Sequence, residues 1–234
     1  MLYDHPDFDR HEQVIFCTND KVGLRAIIAL HSTALGPAAG GCRMFPYSCE
    51  ADALADALRL SKGMTYKNAV AGLPLGGGKC VIIADPAKPK KPELLSAFAQ
   101  HVQSLAGRYW TAIDVVVGPD DADILAEGCD YVFARASQYE AGFNPSEFTA
   151  LGGFMGIQAV SETVLKRDTL RGLRVAVQGL GATGYALCQH LHTAGAKVTV
   201  ADVRDDAVGR VVQHFGATAV DPSQIHSADV DIFA

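Results

Sequence analysis

The stretch that most constrains the fold is Gly179-Leu180-Gly181-Ala182-Thr183-Gly184, a GxGxxG set between a strand and a helix. Upstream, Leu173-Arg174-Val175-Ala176-Val177-Gln178 is an apolar, β-branched run that reads as a strand. Downstream, Tyr185 to Ala194 predicts a helix and Lys197 to Val203 a second strand. Glycines at these three positions allow a tight turn and close approach of a pyrophosphate, whose charge meets the free N–H groups at the helix start. Asp202, eighteen residues past Gly184, ends the second strand. There a carboxylate accepts hydrogen bonds from both ribose hydroxyls and repels a 2′-phosphate. The frame predicts a dinucleotide site with NAD favoured over NADP, a preference that Arg204 weakens. The alternative, a structural glycine turn with an incidental aspartate, is disfavoured by the complete strand-turn-helix-strand setting.

At 234 residues the chain has room for one large domain or two small ones. With 49% hydrophobic and 20% charged residues it has the composition of a globular protein. The net charge of −6 and scattered Lys and Arg give no basic face for nucleic acid. The basic run Lys88 to Lys91 contains Pro89 and reads as a solvated loop. No apolar run approaches the roughly 18 residues a membrane helix needs, and the acidic, polar N-terminus is unlike a secretory signal. Six cysteines without a CxxC read as reduced thiols of a cytoplasmic protein, and nothing in the Cys and His spacing calls for a metal.

Ahead of the glycine turn, Gln13 to Cys17 and Leu24 to His31 predict strand-turn-strand. Glu50 to Asn68 predicts a helix ending at Gly72, with Lys67 in its last turn, and Cys80 to Ala84 a buried strand. A helix over Glu93 to Ala106, a strand over Tyr109 to Val117, a short helix from Pro119 to Glu127 and a strand over Tyr131 to Ala134 follow. Strands alternating with helices mean an α/β fold. The turn-rich Ser137 to Ser146 reads as a linker, before a helix from about Thr149 to Lys166. The expected architecture is an N-terminal mixed-sheet α/β catalytic and oligomerisation domain over 1–136, a linker over 137–148, and a Rossmann-type dinucleotide-binding domain over 149–234.

The second chemical feature is Gly76-Gly77-Gly78-Lys79, with Lys67 twelve residues upstream. A backbone without Cβ atoms lets a substrate lie against the chain while Lys79 presents an amine. A phosphate loop is excluded: its first glycine would fall on Leu73, its Ser or Thr on Cys80, and the run opens a strand rather than a helix. Two ammonium groups in one cleft raise each other's energy, so Lys79 serves as a base while Lys67 stays charged for a substrate carboxylate. Asp114, at a strand end, would shuttle a proton. The bland reading makes these a helix-end lysine, a loop lysine and a turn aspartate; the nearby nucleotide unit argues against it.

Leu35 to Met44, Gly63-Met64-Thr65-Tyr66-Lys67-Asn68, Gly72 to Lys79 and Gln178-Gly179-Leu180-Gly181 together resemble the glutamate/leucine/phenylalanine/valine dehydrogenase family across essentially the whole chain. The resemblance implies NAD-dependent oxidative deamination of an L-amino acid, in a homo-oligomer held together by the first domain. It implies that Lys67 holds the substrate carboxylate, Lys79 activates water and Asp114 relays protons. It also implies that Gly40 and Gly41 lie beside the substrate and Thr149 near the nicotinamide. Ala39 falls where glutamate-specific members carry a lysine, so with Met64 and Ala112 it implies an apolar pocket for leucine, valine or phenylalanine. Ile113, Val116-Val117-Gly118 and Glu147 depart from the family pattern, and the family continues beyond the position of Ala234. A catalytically silent NAD-binding or interaction protein is the alternative; a 2-hydroxy-acid dehydrogenase would want His or Arg where this chain has lysines.

Overall fold

A computed structural model describes residues 2–85, 92–139 and 145–234. The basic run Lys88 to Lys91 and the centre of the expected linker lie outside the described residues. The chain divides into two compact units, Met1–Ala141 and Gly142–Ala234.

In unit 1, β1 (Gln13–Asn19) and β2 (Leu24–Ser32) form the expected hairpin, with Gly23 at φ 72° in its turn. β3 (Ala38–Phe45) follows, then helix α1 (Glu50–Val70), β4 (Gly76–Ile83), α2 (Pro92–Gln103), β5 (Tyr109–Ala112) and α3 (Pro119–Glu127). The sheet order is β1-β2-β4-β3-β5, with β4 antiparallel to β2 and parallel to β3. Alternation along the strands gives two apolar faces. Ala53, Ala57 and Leu58 of α1 cover Ile27, Ala29 and Val81. Leu95, Phe98 and Val102 of α2 and Leu125 of α3 join a larger core with Ile28, Leu30, Cys42, Cys80 and Ile82.

Three expectations change. The glycine triplet does not precede β4 but forms its first three residues. A Cβ at Gly77 would lie 2.2 Å from Thr65 N and 2.5 Å from Ser61 O of α1, and one at Gly78 would lie 2.7 Å from the Tyr109 ring. The glycines thus admit a helix and an aromatic ring to close range, and at these two positions the chain itself fills the space foreseen for a substrate. The strand expected over Tyr109 to Val117 stops at Ala112, because the backbone turns at Asp114 N–H to Val117 O (3.1 Å) with Val116 at φ 71°. The strand expected at Tyr131 to Ala134 is reduced to one bridge, Thr111 with Val132.

Unit 2 opens with α4 (Pro145–Thr163), four residues earlier than expected, so its first turn takes in the end of the proposed linker. β6 (Arg174–Gln178), α5 (Ala182–Thr193), β7 (Lys197–Ala201), α6 (Asp205–Phe215), β8 (Thr218–Ala219) and β9 (Ile232–Phe233) follow. Their sheet, ordered β8-β7-β6-β9, is parallel throughout. Leu187 and Leu191 of α5 and Val211 of α6 pack with Val175, Val177 and Val200 in its core.

Candidate active site

Lys79 is the fourth residue of β4, buried on the face that α1 covers. Its Nζ lies 2.5 Å from Asp114 Oδ2. Asp114 reaches it because the chain leaving β5 passes over β3: Met44 N–H donates to Val115 O at 3.0 Å. Gly41 makes that passage possible, since a Cβ there would stand 2.4 Å from Ile113 O and 2.9 Å from Asp114 Cβ. Burial pushes the Asp114 carboxyl up, but the Lys79 ammonium outweighs it, helped by the Arg43 guanidinium, and leaves the group below the usual carboxylate range.

Gly40 sits against α1: a Cβ there would be 3.1 Å from Met64 Cγ and 1.8 Å from Gly78 O. Tyr109 OH donates to Gly40 O at 2.8 Å, fixing this part of β3 from the opposite side. Gly41 pairs with Ala112 across the strands, and Ala39 with Trp110. Lys67 follows Met64 by three residues, on the same face of α1; its side chain is exposed and makes no ion pair or hydrogen bond among the described residues. Asn68, buried one residue on, donates Nδ2 to Gly76 O at 2.6 Å and ties the end of α1 to the start of β4. Lys79, Asp114, Gly40, Gly41, Met64, Ala39 and Ala112 are thus gathered where β3, β4 and β5 meet α1. The mutual-ammonium reading of Lys67 and Lys79 gives way to a different electrostatic arrangement, because Lys79 has a carboxylate counter-ion and Lys67 is open to solvent.

Sequence reasoning missed Arg43. Its Nε lies 3.3 Å from Asp114 Oδ2 and its Nη1 3.0 Å from Asp56 Oδ2, where Tyr47 OH also donates at 2.5 Å. The available signal was an arginine two residues beyond a glycine pair, following five residues that the strand buries, Ala38 to Cys42.

In unit 2, Gly179 adopts φ 90° and Gly181 caps α5 without a side-chain hydrogen bond, and among the described residues no side chain caps the N–H groups of the first turn, from Ala182 and Thr183. A Cβ at Gly184 would lie 1.9 Å from Gly179 O, so the turn closes only on glycine. Asp202 Oδ2 accepts from Leu180 N–H at 2.6 Å and Oδ1 from Arg204 N–H at 2.9 Å. The Leu180 N–H, with Arg204, holds the Asp202 carboxyl below its usual range. An uncapped helix start, glycines at the turn and an ionised acid at the end of the next strand fit a dinucleotide. Thr149 is exposed on α4.

Residues 11–131 match the family described as Glu/Leu/Phe/Val dehydrogenase, dimerisation domain. The chain is 48% identical over 233 residues to leucine dehydrogenase of Geobacillus stearothermophilus and 45% identical to valine dehydrogenase of Streptomyces virginiae, covering 64% and 65% of their lengths. The crystal structure of L-tryptophan dehydrogenase from Nostoc punctiforme superposes with a TM-score of 0.69 at 46% identity, over 96% of this chain and 63% of that one. The chain therefore spans less than two thirds of the length of these relatives, and the family match over residues 11–131 takes in Lys79, Asp114 and the other unit 1 residues gathered with them. The chain belongs to the Glu/Leu/Phe/Val dehydrogenase family.

Proposed function

We propose that the protein oxidatively deaminates an apolar L-amino acid to a 2-oxo acid and ammonia, with NAD as oxidant. The observation that carries this reading is the buried Lys79–Asp114 pair at 2.5 Å. A proton moved from the ammonium to the carboxylate across that contact leaves both groups neutral and Lys79 free to take a proton from water. The same contact offers a route back, so Asp114 serves as the relay to and from the substrate nitrogen. Lys67, exposed and without a counter-ion among the described residues, is suited to the substrate carboxylate.

Ala39, Met64 and Ala112 supply apolar surface for the substrate side chain, and no cation stands at Ala39 to receive a distal carboxylate. Relatives named for leucine, valine and tryptophan support a branched or aromatic substrate. Unit 2 is read as a Rossmann-type domain. The first turn of α5 from Gly181 through Gly184, with Leu180 beside it, would face the pyrophosphate and Asp202 the adenosine ribose; Thr149 is proposed to lie near the nicotinamide. A bound NAD would supply the acceptor for the hydride that leaves the substrate α-carbon. Unit 1, which carries the dimerisation-domain match, is proposed to provide the contact of a homo-oligomer.

The test is reduction of NAD by the full-length protein with each of the twenty amino acids, followed by the same assay on Lys79→Ala and Asp114→Asn. Leucine, valine, phenylalanine or tryptophan should support turnover, and each substitution should lower kcat by about a thousandfold. Undiminished turnover in Lys79→Ala would sink the assignment.

A further inference from the structure

Asp114 Oδ2 receives two cations, Lys79 Nζ at 2.5 Å and Arg43 Nε at 3.3 Å. The other end of the Arg43 fork is held at 3.0 Å by Asp56 of α1, and Asp56 is itself held by Tyr47 OH. Beyond Arg43 lies a cavity of about 330 Å³ lined by Arg43, Tyr47, Asp52, Asp56 and Arg59. An unanchored arginine at this position has room to swing away from Asp114.

We infer that Arg43 is a positioning residue that, by bridging Asp56 and Asp114, fixes the Asp114 carboxylate against Lys79. The inference rests on the dehydrogenase reading for its catalytic meaning, although its geometry stands without it. Guanidinium has donors only and keeps its proton at any working pH, so Arg43 takes no part in proton transfer itself. Its planar fork meets two carboxylates at once, which the point charge of a lysine does not. Asp114 belongs to the short loop after β5, where no regular strand pairing holds its side chain in place. The anchor comes instead from α1, twenty-one residues long and packed on the sheet. The charged and titratable groups around Asp114 are Lys79 from β4, Arg43 from β3, Tyr109 from β5 and, one step further out, Asp56 and Tyr47. Both cations favour the ionised carboxylate; burial opposes them.

The deciding measurement is the titration of Asp114 in protein labelled with ¹³C at aspartate carboxyls, the signal being assigned by its loss in Asp114→Asn. Replacing Arg43 with Gln should move the midpoint upward by about one pH unit. Asp56→Asn discriminates between positioning and charge alone. Removing a nearby negative charge would by itself lower the Asp114 midpoint, whereas release of Arg43 from its anchor raises it. Arg43→Lys, which retains the charge, should give an intermediate midpoint and serves as the folded comparison if the glutamine variant does not fold. A midpoint unmoved in Arg43→Gln, lowered or unmoved in Asp56→Asn, or at the native value in Arg43→Lys would overturn the inference. In turnover, the acidic limb of kcat/KM against pH should rise in parallel with the carboxyl midpoint. Because the titration needs no turnover, the two readings fail separately. An active Asp114→Asn would remove the proton-relay role while the titration still decides Arg43. An unmoved titration would dispose of Arg43 and leave the dehydrogenase reading intact.

Discussion

Gly77 and Gly63 have opposite claims on the space around them. A Cβ at Gly77 would press on the α1 backbone at Thr65 and Ser61, whereas one at Gly63, inside α1, meets nothing within 4 Å. Gly77→Ala should therefore destabilise unit 1 by about 3 kcal/mol, the upper end for overpacking a dense interior. Gly63→Ala should stabilise it by roughly 0.5 to 1 kcal/mol through helix propensity. Urea unfolding midpoints of the two variants, measured side by side, provide the check. Val116 presents the complementary case: a β-branched side chain at φ 71°, two residues after Asp114. Left-handed backbone at such a residue costs about 1 to 3 kcal/mol. Val116→Gly should recover about 1 kcal/mol of it, offset in part by the greater chain entropy of glycine when unfolded; a lower Tm than the parent protein would contradict this.

Among the elements, the glycine turn between β6 and α5 was legible because each of its parts carries its own signal: an apolar run, glycines at fixed offsets and an acid closing the next strand. The structure adds that Asp202 is bonded to the turn itself through Leu180 N–H. Gly184→Ala would force a Cβ to within 1.9 Å of Gly179 O, opening the turn. At the proposed dinucleotide site it should weaken binding of NAD at least tenfold in calorimetric titration while leaving the fold of unit 1 unchanged. α3 was legible for similar reasons: Pro119 begins it and Asp121 accepts from Gly118 N–H at 2.8 Å. β3 was not. Its Ala38-Ala39-Gly40-Gly41 start has no apolar alternation and little β propensity, and what makes it a strand is pairing with β4 and β5 on its two sides. The same long-range cause hid the site's supporting arginine. Asp56, Arg43 and Asp114 are scattered along the sequence and meet only after α1 and the loop beyond β5 converge on β3.

At the scale of the whole molecule, two histidines of unit 1 should make stability depend on pH from the ordinary histidine value of 6.5 downward. His11 Nε2 lies 3.0 Å from Leu58 O, His31 Nδ1 lies 2.8 Å from Thr65 Oγ1, and their rings meet edge-on with centroids 4.8 Å apart. Burial lowers both below the ordinary histidine value of 6.5. The unfolded chain then binds protons that the folded one refuses, so stability is full above pH 6.5 and is lost as pH falls below it toward the folded values. Unfolding free energies at about pH 8 and about pH 5 should differ in that direction. His31→Gln should flatten the difference, and an unchanged slope would count against the histidines as its source. Asp114, held low by Lys79 and Arg43, acts in a separate window: its contribution is present above the unfolded value of 3.8 and lost only as pH falls below that.

β4 is bonded to a neighbour on either side, β2 running against it and β3 alongside, and Lys79 sits opposite Ala29 within that ladder. Asp114 follows a four-residue strand at the edge of the same sheet. In the language of amide exchange, the two halves of the ion pair belong to different classes of opening. The β4 amides should exchange solvent deuterium only when unit 1 unfolds as a whole, while those of residues 113–118 should exchange by a smaller, cheaper excursion. The lysine is thereby fixed for as long as the unit is folded, and its carboxylate partner is the member of the pair that a local fluctuation can withdraw and return.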